Sequence, residues 1–347
     1  MRRLREHSTP STWASKDIGA ARTQRLATPM SLIAYVAGAS LPAGPLITVA
    51  TLLLALLLPQ TAMAKVDIVT TVGDLAAVAK EVGGEHVSVE LLASPQQDPH
   101  FVDAKPSFVR DVAKADLLIV NGMSLEAGWL PALVESSRNA KVQIGADGYF
   151  DASEHIARKG VPQGEISRAQ GDVHPEGNPH YTLEPRQMAR VALALGKRLA
   201  KLDPDHAKAY KTQAKAFAKK GLQTAKYWKK QFESLPKQCR NVVVYHEAWV
   251  YLTDWLSLNV VLPIEPKPGV PPNPKHVAKV FKTMKSEEVP VVIQMEYYPN
   301  SNTEMITKKT GAYLLIVQGQ TREDQDYFSR VNKMAGELYS AVKARCE

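Results

Sequence analysis

The sequence predicts an α/β fold with parallel sheets, in two lobes of ordinary domain size with one long helix between them. Three observations predict it. Strand-like and helix-like patterns alternate through both halves of the chain, as in sheets built from βαβ units. A run of roughly 30 residues in the middle keeps one stripe of less polar positions at helical spacing. The 347 residues, 45% of them hydrophobic, suffice for two cores. Charged residues at 22% place the chain among folded rather than disordered proteins.

Residues 1–64 are set aside as a secretory leader. Arginine-rich residues precede an apolar run, Leu46–Leu58, followed by Pro59 and then Thr61, Ala62, Met63 and Ala64, with small residues where a signal peptidase reads. Cleavage is expected before Lys65. The apolar core is shorter than the roughly 20 residues that span a bilayer, which argues against a transmembrane anchor. Lysine, not cysteine, directly follows the expected cleavage position, so no lipid anchor is expected. Met30 is an alternative start that keeps the whole apolar core. The leader carries Arg2, Arg3, Arg5, Lys16, Arg22 and Arg25 against Glu6 and Asp17, so +4 of the net +8 resides there.

Taken in order, the mature chain opens with strands at Asp67–Thr71, Val87–Leu92, Asp116–Asn121 and Lys141–Ile144. Helices fall at Leu75–Val82, ended by Gly83 and Gly84, and at Pro106–Ala113. Residues 146–178, rich in Gly, Pro, Asp, Gln and His, read as a long loop, and a loop of that length is functional or mobile. This N-terminal lobe covers 65–183. Helices fill 184–235. One is Glu184–Leu202, with Pro185 in its first turn. The other starts at Asp203 and Pro204 and runs to about Leu235. Its stripe is Ala207, Tyr210, Ala214, Phe217, Gly221, Ala225, Trp228 and Phe232, with lysines on the other faces. At about 1.5 Å per residue it spans about 45 Å, enough to run along both lobes. A helical hairpin broken at Gly221 is the alternative. The lysines around Lys208–Lys230 read as a solvated face, because no stacking aromatics are interleaved for nucleic acid. The C-terminal lobe, 236–347, has strands at Asn241–His246, Leu258–Pro263, Val291–Met295 and Tyr313–Val317, with a stiff extended loop over 264–274. Cys239 and Cys346 could pair in an oxidising compartment and tie the C-terminal helix to this lobe, and the sequence leaves open whether they do.

Of nine histidines, three stand apart. His100 lies in Asp98-Pro99-His100, past a strand. His180 lies in Asn178-Pro179-His180, before a helix. His246 ends the strand that begins at Asn241. Strand ends are where parallel sheets place ligand-binding residues, and the prolines restrict the residue before them. The three are 80 and 66 residues apart, so no local metal motif exists and spacing alone leaves the site open. His86, His206 and His276 read as ordinary surface or half-buried histidines.

The mature chain resembles the zinc/manganese substrate-binding proteins of ABC importers. Asp98-Pro99-His100 with Pro106-Ser107 is similar to that family's first ligand motif. Asn121-Gly122, Glu126 and Trp129 resemble the strand and turn that follow. Asn178-Pro179-His180-Tyr181 through Pro185 resembles the second ligand segment, and Tyr245-His246-Glu247-Ala248 the third. The resemblance implies two α/β lobes joined by a single long helix, with metal held by His100, His180 and His246 in the cleft between lobes. It implies a periplasmic receptor that hands its metal to a membrane permease. A monomer without a lipid anchor and without nucleic acid is expected.

One departure concerns the fourth ligand. Where the family often places an aspartate past the last strand, this chain has Gln318, a poor ligand for a divalent cation. Glu296 is the nearest alternative carboxylate, water another, and His174 an accessory candidate from the loop. Three imidazoles with a variable fourth ligand suit Zn²⁺, whereas Mn²⁺ prefers more oxygen. Two other readings stay open. The same ligand set is that of a catalytic zinc site, with Glu247 as its base, although Val250 stands where a zinc-protease helix needs its second histidine. A metal buffer or adhesin on the same fold is the other.

Overall fold

The computed structural model describes residues 65–164 and 171–346; the expected leader, its cleavage position and the start at Met30 lie outside the described residues. The N-terminal half runs β1 (Val66–Thr70), α1 (Gly73–Gly83), β2 (Val87–Leu91), α2 (Pro106–Lys114), β3 (Leu117–Val120), α3 (Leu130–Ser137) and β4 (Tyr149–Asp151). Two helices follow, α4 (Pro185–Leu202) and α5 (Ala207–Glu233). The C-terminal half runs β5 (Asn241–Val244), α6 (Val250–Leu256), β6 (Asn259–Pro263), α7 (Pro274–Ser286), β7 (Val291–Met295), α8 (Ser301–Thr310), β8 (Tyr313–Val317) and α9 (Tyr327–Lys343).

The strands form two sheets of four, ordered β2-β1-β3-β4 and β6-β5-β7-β8, with every pairing parallel. The strand order is the same in both. Each sheet reverses direction of growth at its first strand, and the crevice beyond the carboxyl ends there is where such sheets hold ligands. The inner strands β3 (LLIV) and β7 (VVIQM) are buried along their whole length, because helices cover both faces of a parallel sheet.

One strand expectation is corrected. Lys141–Ile144 is not a strand: Ala140–Val142 forms one 3₁₀ turn. The Asn139 side chain accepts from Lys141 N and donates to the carbonyls of Val112 and Ala115, and such local bonds compete with a ladder. The fourth strand is β4 instead, inside the stretch expected to be loop. The expected single long helix is present, and the alternative of a hairpin at Gly221 falls away, since α5 runs unbroken through it. A Cβ at Gly221 would lie 2.9 Å from the Pro185 carbonyl, and one at Gly196 of α4 2.6 Å from the Ala214 Cβ. The glycines therefore let α4 and α5 pack backbone to backbone.

Helix α5 serves both halves. It touches α1 on one side and α6 and α9 on the other. Trp255 Nε1 donates to Ala225 O at 2.9 Å, and Trp228 Nε1 to Asn332 Oδ1 at 2.8 Å. Cys239, in the turn after α5, is disulfide-bonded to Cys346 beyond α9. Among the described residues, no helix is long and apolar enough to cross a membrane.

Candidate metal centre

Asp98-Pro99-His100 and Asn178-Pro179-His180 fold the same way. The Asp98 Oδ1 accepts from His100 N (3.0 Å) and lies 2.7 Å from its ring Nδ1. The Asn178 Oδ1 accepts from His180 N (3.1 Å) and lies 3.0 Å from its Nδ1. Each is a local turn in which one side-chain oxygen fixes both backbone and imidazole. The end of β3 holds the two turns together. Trp129 Nε1 donates to Pro99 O and Asn121 Nδ2 to Pro179 O, both at 3.0 Å. Buried Glu126 in turn accepts from Thr71 Oγ1, Asn121 N and Gly122 N.

His246 follows β5 in the other sheet. Its Nδ1 lies 2.7 Å from Glu265 Oε2, with both side chains buried. Glu265 sits just past β6, and Gly269 N also donates to its Oε2. Nothing in the sequence singled out Glu265. The available signal was a lone carboxylate at a strand end in a proline-rich, otherwise apolar stretch.

The three rings converge. Their centroids lie 5.3 Å (His100–His180), 5.6 Å (His100–His246) and 5.4 Å (His180–His246) apart, and one ligand atom from each falls within 4.8 Å of the others. A neutral ring that donates from Nδ1 to its oxygen presents Nε2 as a lone pair, the tautomer a metal requires. The Nε2 of His180 is buried with no hydrogen-bond partner, an arrangement that costs free energy unless a cation takes it up. Burial, then the neighbouring imidazoles of His100 and His246, hold His180 well below the usual histidine range. Asp98 is pushed up by burial, but its hydrogen bonds and charge interaction with His100 outweigh this and leave it below the usual carboxylate range.

The other expected residues take different places. His174 Nε2 lies 3.2 Å from His100 Nε2. Glu296 is not in the cluster; its Oε2 accepts from Arg322 Nη2 at 2.8 Å. Gln318 turns its amide nitrogen to Gln320 O and Gln325 Oε1. Glu247 is exposed, and its backbone carbonyl accepts from Asn178 Nδ2 at 2.6 Å, which joins the two halves beside the site. A cavity of about 150 Å³ opens beside His174, His180 and His246. Organic ligands occupy about 300–1,000 Å³, so this space suits an ion and a few waters.

The family model for the periplasmic zinc-uptake complex component A matches residues 68–341. The metal ABC transporter substrate-binding lipoprotein ScbA of Streptococcus cristatus is 27% identical over 197 residues, 56% of this chain and 60% of its own length. The iron-binding protein YfeA of Yersinia pestis is 25% identical over 283 residues, 79% of this chain and 85% of its own. The laminin-binding protein Lmb of Streptococcus agalactiae, described as having adhesin and metal-transporting activity, shares the fold at a TM-score of 0.66 and 21% identity. That match covers 80% of this chain and 99% of Lmb.

Proposed function

The chain belongs to the zinc-uptake complex component A family, and from that premise we propose that it captures a divalent transition metal, zinc ahead of manganese, for delivery to the permease of an ABC importer. The observation that carries the reading is the buried triangle of His100, His180 and His246 with its unpartnered His180 Nε2. Neutral nitrogen donors with fixed tautomers suit Zn²⁺ at about 2.0–2.1 Å, and the lack of a carboxylate in the cluster disfavours Mn²⁺. Two of the rings follow turns bound to the first sheet and the third follows a strand of the second, so one ion would tie both halves. Binding and release need no chemistry on the metal. The protein acts on this reading as an exported, unlipidated monomer in the periplasm.

A catalytic zinc site is the weaker reading. It needs a base aimed at the metal, and Glu247, though it lines the cavity, is an exposed residue. An adhesin role has one specific support, the dual activity named for Lmb. The deciding experiment measures metal content and zinc/manganese competition for the chain from Lys65 onward, beside a His100→Ala, His180→Ala, His246→Ala variant. One tightly held zinc, absent from the variant, is expected. Binding unchanged in the variant would sink the assignment.

A further inference from the structure

We propose that His174 is the fourth ligand of the transported metal, carried to the His100 corner of the site by the segment 171–178. The inference rests on the metal-receptor reading above. Its first support is distance. The Nε2 atoms of His100 and His174 stand 3.2 Å apart, and the edge of a tetrahedron of nitrogens around zinc is about 3.3 Å for bonds of about 2.0–2.1 Å. His174 lies outside the group whose ligand atoms all come within 4.8 Å of one another, so the bound ion draws its ring inward from the His100 corner.

The second support is orientation. The His100 Nδ1 is engaged by Asp98 Oδ1 at 2.7 Å, so the nitrogen it turns towards His174 is Nε2, and His174 meets it with its own Nε2. The two atoms that face each other are the ones a metal takes from rings held at Nδ1.

The third support is that the segment is built into place rather than left in solvent. Asp172 N donates to Pro268 O at 3.0 Å, on the loop that also holds Glu265. Asn178 N donates to Lys159 O at 2.8 Å, and Ser124 Oγ to Glu176 Oε2 at 3.0 Å. A Cβ at Gly171 would stand 2.2 Å from Pro268 O, and one at Gly177, where φ is +118°, would stand 2.9 Å from Lys159 O. Both ends of the segment thus dock where only glycine fits. Of the alternative donors, the Gln318 amide nitrogen is held by Gln320 O and Gln325 Oε1, and Glu296 gives its Oε2 to Arg322 while its Oε1 is buried without a partner. A count of four imidazoles, against three and an oxygen, separates His174 from Glu296.

The test loads wild type, His174→Ala and His174→Gln with Co²⁺ and records the visible d–d bands, then counts imidazole scatterers in the zinc-loaded proteins by X-ray absorption. Wild type is expected to give the intense bands of a four-coordinate site with four imidazoles. Both variants are expected to bind one equivalent with three imidazoles and an oxygen, and to lose about tenfold or more of the zinc-over-manganese preference, the size of change that altering a metal site brings. Variants with unchanged spectra and selectivity would overturn the role of His174 while leaving the receptor reading intact. A wild type that takes up neither cobalt nor zinc would overturn both.

Discussion

At the scale of residues, each imidazole of the site is aimed by an oxygen on its Nδ1, supplied by Asp98, Asn178 and Glu265. Such partners typically contribute 10–100-fold to metal affinity. Glu265→Ala is therefore expected to weaken zinc binding by about 10–100-fold in a chelator competition, while Glu247→Ala, whose carboxylate is exposed, leaves it unchanged. Equal losses in the two would mean that Glu265 does not orient His246. The Asp98 and Asn178 turns are legible in the sequence because donor, proline and histidine are consecutive. Glu265 is not, because its partner lies 19 residues away on a neighbouring strand. Glu126 supplies a pH-dependent residue of another kind. Burial, offset in part by the hydrogen bond from Thr71, pushes its carboxyl up to about 7. The folded protein then keeps a proton that the unfolded chain releases near 4.5. Its stabilisation is fully present below about 4.5 and is lost as pH rises through about 7, on the order of 3 kcal/mol in all. Glu126→Gln, which cannot titrate, should flatten that stretch of the Tm-against-pH profile; a profile with the wild-type slope would refute the shifted carboxyl.

At the scale of elements, the pairing of α4 with α5 depends on the absence of side chains. Gly196→Ala gains up to about 1 kcal/mol of helix propensity. It also places a methyl 2.6 Å from the Ala214 Cβ and 3.0 Å from the Tyr210 carbonyl, and overpacking of this kind costs about 1–3 kcal/mol. Neither obstacle is a flexible side-chain end, so overpacking wins. Urea unfolding should show a net loss of about 1–2 kcal/mol, and a stabilised variant would show that the helices separate freely. The long helix itself was readable because its stripe repeats over many turns. Strands β7 and β8 were readable to the residue, since continuous apolar runs bounded by turn residues leave little choice. The error over Lys141–Ile144 arose because Val142 is buried but Ile144 is 81% exposed. Two apolar residues are too few to separate a strand from a turn pinned by Asn139. Strand β4 has only three residues, below what periodicity can detect.

At the scale of the whole molecule, the two halves are tied together away from the histidines. Asp74 of α1 and Arg330 of α9 form a buried pair, Nε to Oδ1 at 3.1 Å and Nη2 to Oδ2 at 2.8 Å. Thr321 donates to the same carboxylate from its N and Oγ1, at 3.0 and 2.6 Å, and Tyr327 Oη donates across to Thr182 O at 2.8 Å. A buried pair is weak evidence for stability in itself, but stripping one partner leaves the other charge stranded at about 3–5 kcal/mol. Parting the lobes along this face would break the pair, the Thr321 bonds and the Tyr327 bond at once. Exchange of the metal is therefore expected to proceed by local release of the segment 171–178, with the sheets fixed relative to one another. Three measurements test this together. Asp74→Ala should lose about 3–5 kcal/mol of stability. Small-angle scattering should give the same radius of gyration with and without zinc. Hydrogen exchange should slow on zinc loading in 171–178 and beside His100 and His246, but not around Asp74 and Arg330. A radius that shrinks on loading, with new protection at the Asp74–Arg330 contact, would mean that the contact opens in the metal-free protein and that the lobes swing.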